Sequence, residues 1–199
     1  RDAHTVVSPD GRSVAFFSDE TGWTHLYVMR IAAVGSELES RPKQLTSGEF
    51  EAGFGSWSPD GKRIAFYHNR QSPMERFISI VDVDSGEIQP VATEKGVSFW
   101  PQFSPDGETL LYQRTDVENP NDISVMPVDR SEPATRLTDS LPKDISRSDL
   151  TAPEPVDFPS RADGKQVPGT LFVPDALDRS KKHPAIVWIH GSGSEQNFL

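Results

Sequence analysis

The sequence predicts a mostly β chain: a partial β-propeller of three four-stranded blades, followed by the first strands of a second, α/β domain. Three observations carry this. The tetrapeptide Ser-Pro-Asp-Gly occurs at 8–11, 58–61 and 104–107, at spacings of 50 and 46 residues. Short runs of β-forming residues flank every copy in the same order. Past residue 140 the repeat stops, and after a linker a new pattern ends in a continuous apolar run and a glycine-rich turn. Four short strands per ~40–50 residues at a steady period is the mark of a propeller blade. A β-sandwich also supplies short strands but has no reason to repeat one turn sequence. A tandem array of independent modules is the other option, yet ~48 residues of thin sheet rarely fold alone.

Each element has a local reason. The first strand of each blade ends in an apolar residue: Val7, Trp57 or Phe103. In the turn that follows, proline presets φ near −65°, aspartate bonds nearby amides, and glycine accepts the positive φ that closes the corner. The second strand then runs over 14–17, 64–67 and 110–112. A variable segment (18–22, 68–75, 115–122) leads to a third strand at 26–29, 78–81 and 123–126. A second turn is clearest at 82–87, and a fourth strand is expected at 43–46, 89–93 and 135–138. The blades thus occupy residues 1–140. Only three are legible, whereas closure takes about 4–8, so further blades are expected before residue 1.

Residues 141–155 read as a linker, polar and punctuated by Pro142, Pro153 and Pro155. The second domain, 156–199, opens with a strand at 156–158, a turn at 160–165 and a strand at 167–173 that bends at Pro168-Gly169. After a charged loop, 185–189 (Ala-Ile-Val-Trp-Ile) reads as a strand buried on both faces of a sheet. It runs straight into His190-Gly191-Ser192-Gly193. Glycines there would let main-chain N–H groups approach a ligand and stabilise a developing oxyanion.

Composition narrows the function classes. The net charge is −10, and residues 1–150 hold 24 acidic against 15 basic groups. Such a surface repels phosphate, so neither nucleic acid nor anionic membrane is an expected partner. There is no cysteine, which excludes disulfides and cysteine-based zinc sites. The five histidines show no metal-ligand spacing, and no metal or cofactor is expected. Asp82-x-Asp84-x-Gly86 lacks the remaining positions of a calcium loop and reads as a hairpin turn. Trp57, Phe99, Trp100 and Phe103 are assigned to packing between blades rather than to a substrate tunnel.

The Ser-Pro-Asp-Gly repeats resemble WD40-like (TolB-type, PD40) blades. Taken with the linker, the Asp-Gly hairpin and His-Pro-Ala-Ile-Val-Trp-Ile-His-Gly-Ser-Gly, the order of parts resembles the prolyl oligopeptidase (S9) family of serine peptidases. The likeness is to its dipeptidyl-peptidase and acylaminoacyl-peptidase branches. That resemblance implies an α/β-hydrolase domain with a Ser-Asp-His triad, short peptides as substrate, and a propeller that restricts access. It implies an oxyanion-hole loop at His190, Gly191, Ser192 and Gly193. No Gly-x-Ser-x-Gly elbow occurs, so the triad residues are expected beyond Leu199, and the 199 residues alone are expected to be inactive. Two alternatives stand beside this: a TolB-type binding propeller, and an α/β-hydrolase of other chemistry such as an esterase. Compartment (cytoplasm or periplasm) and oligomeric state stay open.

Overall fold

The computed structural model of the protein describes residues 5–31, 41–189 and 191. Three four-stranded antiparallel sheets follow one another along the chain, each ordered as the chain runs. Blade 1 is β1 (Thr5–Val7), β2 (Ser13–Ser18), β3 (His25–Arg30) and β4 (Lys43–Gln44). Blade 2 is β5 (Ala52–Trp57), β6 (Arg63–His68), β7 (Phe77–Asp82) and β8 (Ile88–Ala92). Blade 3 is β9 (Val97–Phe103), β10 (Thr109–Asp116), β11 (Asn119–Pro127) and β12 (Thr135–Arg136).

The repeated turn is built the same way three times. In blade 2 the Ser58 hydroxyl donates to Asp60 Oδ1 (2.5 Å), and that oxygen accepts the Lys62 amide (3.1 Å). Ser58 Oγ in turn accepts the Arg63 amide at 2.9 Å, and the Gly61 amide donates to the Ser58 carbonyl at 2.9 Å. Ser8 with Asp10, and Ser104 with Asp106, repeat every one of these bonds. The turn glycines sit at φ 70°, 68° and 76°. The register is therefore common to all blades: Val7 faces Val14, Trp57 faces Ile64 and Phe103 faces Leu110.

Period-two alternation then decides the packing. One face of blade 2 (Ile64, Phe66, Val81) packs with Leu26, Val28, Phe50 and Trp57. Its other face (Ala65, Ile78, Ile80) packs with Leu110, Tyr112 and Met126 of blade 3. Because blade 2 is covered on both sides, β7 is buried at five consecutive residues. Polar contacts lock the junctions: Trp57 Nε1 donates to the Val6 carbonyl (2.9 Å), and the Arg63 guanidinium lies over the Phe103 ring.

Three expectations need correction. The fourth strand shrinks to two residues in blades 1 and 3. There the flanking Thr46 and Thr138 use their hydroxyls to accept the amides of Leu26 and Ile123, which replaces ladder bonds. Beyond residue 140 a capped 3-10 turn (Arg147–Asp149) precedes a lone hairpin, β13 (Glu154–Pro159) and β14 (Gln166–Leu171). Residues 185–189 form no strand, and Ile186, Val187, Trp188 and Ile189 are 81–96% exposed. An apolar run becomes a buried strand only with hydrogen-bonded neighbours, and no described strand pairs with it. No α-helix is present among the described residues, so no α/β-hydrolase part is visible in them.

Candidate functional site

Of the proposed oxyanion loop, only Gly191 is described, and a Cβ there would meet nothing within 4 Å. His190, Ser192 and Gly193 lie outside the described residues. The polar chemistry that can be built residue by residue sits instead at the blade ends opposite the Ser-Pro-Asp-Gly turns. There the second and third strands of the blades carry the polar side chains His25, His68, Arg114 and Asp122.

In blade 1, His25 opens β3 and is buried. Its Nδ1 lies 3.2 Å from Thr46 Oγ1 and its Nε2 3.0 Å from the Gly48 carbonyl. In blade 2, His68 closes β6, with Nε2 2.8 Å from Ser79 Oγ. Phe50, Phe66 and Phe77 surround its ring. Burial, then the positive Arg70 and Arg76, push the His68 pKa down to about 4, so it is neutral near pH 7.

Blade 3 differs. Asp122 stands on β11 with its side chain 1% exposed. Its Oδ1 accepts three bonds, from Thr138 Oγ1 (2.7 Å) and from the Ser140 amide and hydroxyl (2.9 Å each). Its Oδ2 has no hydrogen-bond donor and faces Arg136 Nη1 only at ion-pair distance, 3.7 Å. Burial works to raise the Asp122 pKa. The Thr138 and Ser140 donors and the Arg136 charge outweigh it, so the group stays below the usual carboxylate range. On β10, Arg114 is held by the Lys95 carbonyl (2.6 Å) and pairs with Asp116 at 3.6 Å. Two residues before it, the buried Tyr112 hydroxyl has no partner, and burial with the nearby Glu94 charge raises its pKa to about 12. Around Asp122 and Arg114 opens a cleft of about 380 Å³, to which Glu94, Ser124, Ala134 and Arg136 also contribute.

A second exposed feature lies on β9. Trp100 is 47% exposed at φ 52°, a conformation rare for bulky residues, where the pairing of β9 with β10 slips between Phe99 and Gln102. Its ring meets Phe99 edge-on at 4.8 Å. Of the four aromatics assigned to packing, Trp57 and Phe103 do pack between blades, whereas Trp100 does not. The Asp82–Gly86 segment is a hairpin turn whose Asp82 Oδ1 accepts the Asp84 and Ser85 amides. The cleft itself escaped sequence reading. By strand register, Asp122 stands where the other blades carry His25 and Phe77.

Comparison with known proteins follows this geometry. The family described as the TolB beta propeller domain, PD40, matches residues 2–140. Dipeptidyl-peptidase 5 of Porphyromonas gingivalis is 22% identical over 194 residues, covering 96% of this chain and 27% of that protein. The chain thus spans about a quarter of the length of this curated relative. The crystal structure of dipeptidyl peptidase 4 from Porphyromonas gingivalis superposes with a TM-score of 0.71 at 15% identity. That match covers 90% of this chain and 24% of the other. TolB from Acinetobacter baumannii gives a TM-score of 0.55 at 16% identity, over 86% of this chain and 40% of its own. Structural likeness at such identities speaks to the fold, and it agrees with the three stacked four-stranded sheets. The chain belongs to the TolB β-propeller (PD40) family.

Proposed function

We propose that residues 1–140 are the propeller portion of a serine peptidase of the prolyl oligopeptidase (S9) type. In this reading the propeller restricts which short peptides reach a hydrolase domain. Residues 156–199 begin that domain, and the turn 190–193 offers main-chain donors to the oxyanion of the acyl-transfer step. The observation that carries the reading is the extent of the likeness to dipeptidyl-peptidase 5. It runs over 194 residues and so continues past the blades, through the linker and the hairpin. The nucleophile, its base and the orienting carboxylate are assigned to chain outside these 199 residues. The 199-residue chain by itself should therefore not hydrolyse peptides.

The test is the whole natural protein that carries this sequence. A fluorophosphonate probe should label one serine in it, and dipeptidyl or acyl-peptidyl substrates should be cleaved. Failure of both rejects a peptidase. Labelling with cleavage of simple esters alone moves the assignment to an esterase.

A second reading, a TolB-type binding propeller, has one observation in its favour: residues 185–189 lie in solvent rather than in a sheet. It predicts an intact whole protein that no serine-directed probe labels.

A further inference from the structure

The chain leaves blade 3 through two fastenings of unlike kind. The first is buried. Asp122 Oδ1, on a side chain 1% exposed, accepts the Thr138 hydroxyl (2.7 Å) and the Ser140 amide and hydroxyl (2.9 Å each). The second lies at the surface. Arg147 Nε donates to Asn119 Oδ1 at 3.0 Å, and its Nη2 to Asp139 Oδ1 at 2.8 Å. The Arg147 and Asp139 side chains are 37% and 55% exposed. No residue from 141 to 153 is buried, Ile145 and Leu150 included. Apart from the Arg147 side chain, the hydrogen bonds of this stretch to described residues stay within it: Ile145 to Pro142, and the capped turn at 146–150. Arg147 is therefore its one polar tie to the blades among the described residues.

We propose that Arg147 is a releasable stay: clasped to Asn119 and Asp139 it holds the exit segment to blade 3, and unclasped it lets that segment swing about the fixed point at Asp122. Three features carry this. The guanidinium is presented by a turn that keeps its own shape, because the Ser146 amide donates to Asp149 Oδ2 (3.1 Å) and the Ser146 hydroxyl accepts the Ser148 amide (3.4 Å). The seat outlasts release. Arg136 Nη1 donates to the same Asn119 oxygen at 2.6 Å and keeps that bond when Arg147 leaves, so the clasp is ready to close again. The clasp is also balanced by one charge. Two guanidiniums converge on Asn119, and Asp139 offsets both, its Oδ2 lying 3.7 Å from Arg136 Nη2. Exposed ion pairs are individually weak and are screened by salt, whereas buried bonds such as those of Asp122 are screened far less. One fastening thus opens under conditions that leave the other shut. This inference does not depend on the peptidase reading.

The test uses the 199-residue chain. It has no cysteine, so Lys62→Cys on blade 2 and Ala152→Cys past the clasp carry one spin label each at known sites. Pulsed dipolar EPR of this labelled parent at low ionic strength should give one narrow distance distribution. Arg147→Met should spread it by on the order of 20 Å, the coil dimension of the freed residues. Lys143→Met, which removes a cation outside the clasp, should leave it narrow. In about 1 M salt, where the screening length is about 3 Å, the parent should broaden toward the Arg147→Met distribution. If Arg147→Met loses its cooperative unfolding transition, the salt series on the parent decides alone. Three results each overturn the proposal: a parent already as broad as the variant at low salt, no broadening in the deciding measurement, or the same broadening with Lys143→Met.

Discussion

Gly61 at φ 68° shows what one residue contributes to a blade. A branched side chain there is strained by the backbone, so Gly61→Val should cost on the order of 1–3 kcal/mol in denaturant unfolding. The exposed neighbour Lys62 has only its amide in the turn, and Lys62→Ala should stay within about 0.5 kcal/mol. Equal small effects at both sites would contradict the turn geometry. His68 gives a residue-scale pH signature. Its folded pKa, about 4, lies below the unfolded value of 6.5, so the unfolded chain binds the extra proton as pH falls between them. Stability is full above pH 6.5 and should fall by up to about 3 kcal/mol as pH drops to 4. Asp10, Asp60 and Asp106 act in a lower window. The serine hydroxyl and then the backbone amide of each turn depress their pKa values. What they contribute is present above the usual carboxylate range and is lost as pH falls through the depressed values. His68→Gln should flatten the upper window only, measured as melting temperature against pH.

At the scale of elements, the junctions between blades carry the fold. Trp57 illustrates this, being buried in the blade 1–blade 2 core while its indole N–H reaches back to Val6. Trp57→Phe should cost about 1 kcal/mol for the lost bond, and Trp57→Ala about 3–5 kcal/mol for the lost core. These elements also divide by how well they could be read. Ser-Pro-Asp-Gly turns were legible because all their bonds lie within six residues. Second and third strands followed from their apolar runs, which in blade 2 are covered on both faces. Fourth strands were overestimated in blades 1 and 3, because a threonine hydroxyl closes the blade edge where a ladder was expected. The Asp122 cleft was invisible for a different reason. Its lining residues, from Glu94 to Arg136, come together only through the folding of blade 3.

For the molecule as a whole, the blades and the segment after them are held very differently. Arg147 ties the start of that segment to blade 3 through Asn119 and Asp139. Further on, the hairpin keeps Phe158 and Phe172 more than half exposed. Ending the chain after residue 153 should therefore leave the main unfolding transition of the blades within a few degrees of its original position. A large drop would mean that the hairpin supports the blades. The run 185–189 is the decisive stretch, an apolar sequence with no strand beside it among the described residues. The proposed function requires it to become an interior strand once the rest of a hydrolase sheet is supplied. Amide hydrogen exchange at Ile186, Val187, Trp188 and Ile189 measures this directly. The account predicts fast exchange in the 199-residue chain and strong protection in the whole natural protein. Fast exchange in both would contradict it and leave the propeller as a binding platform.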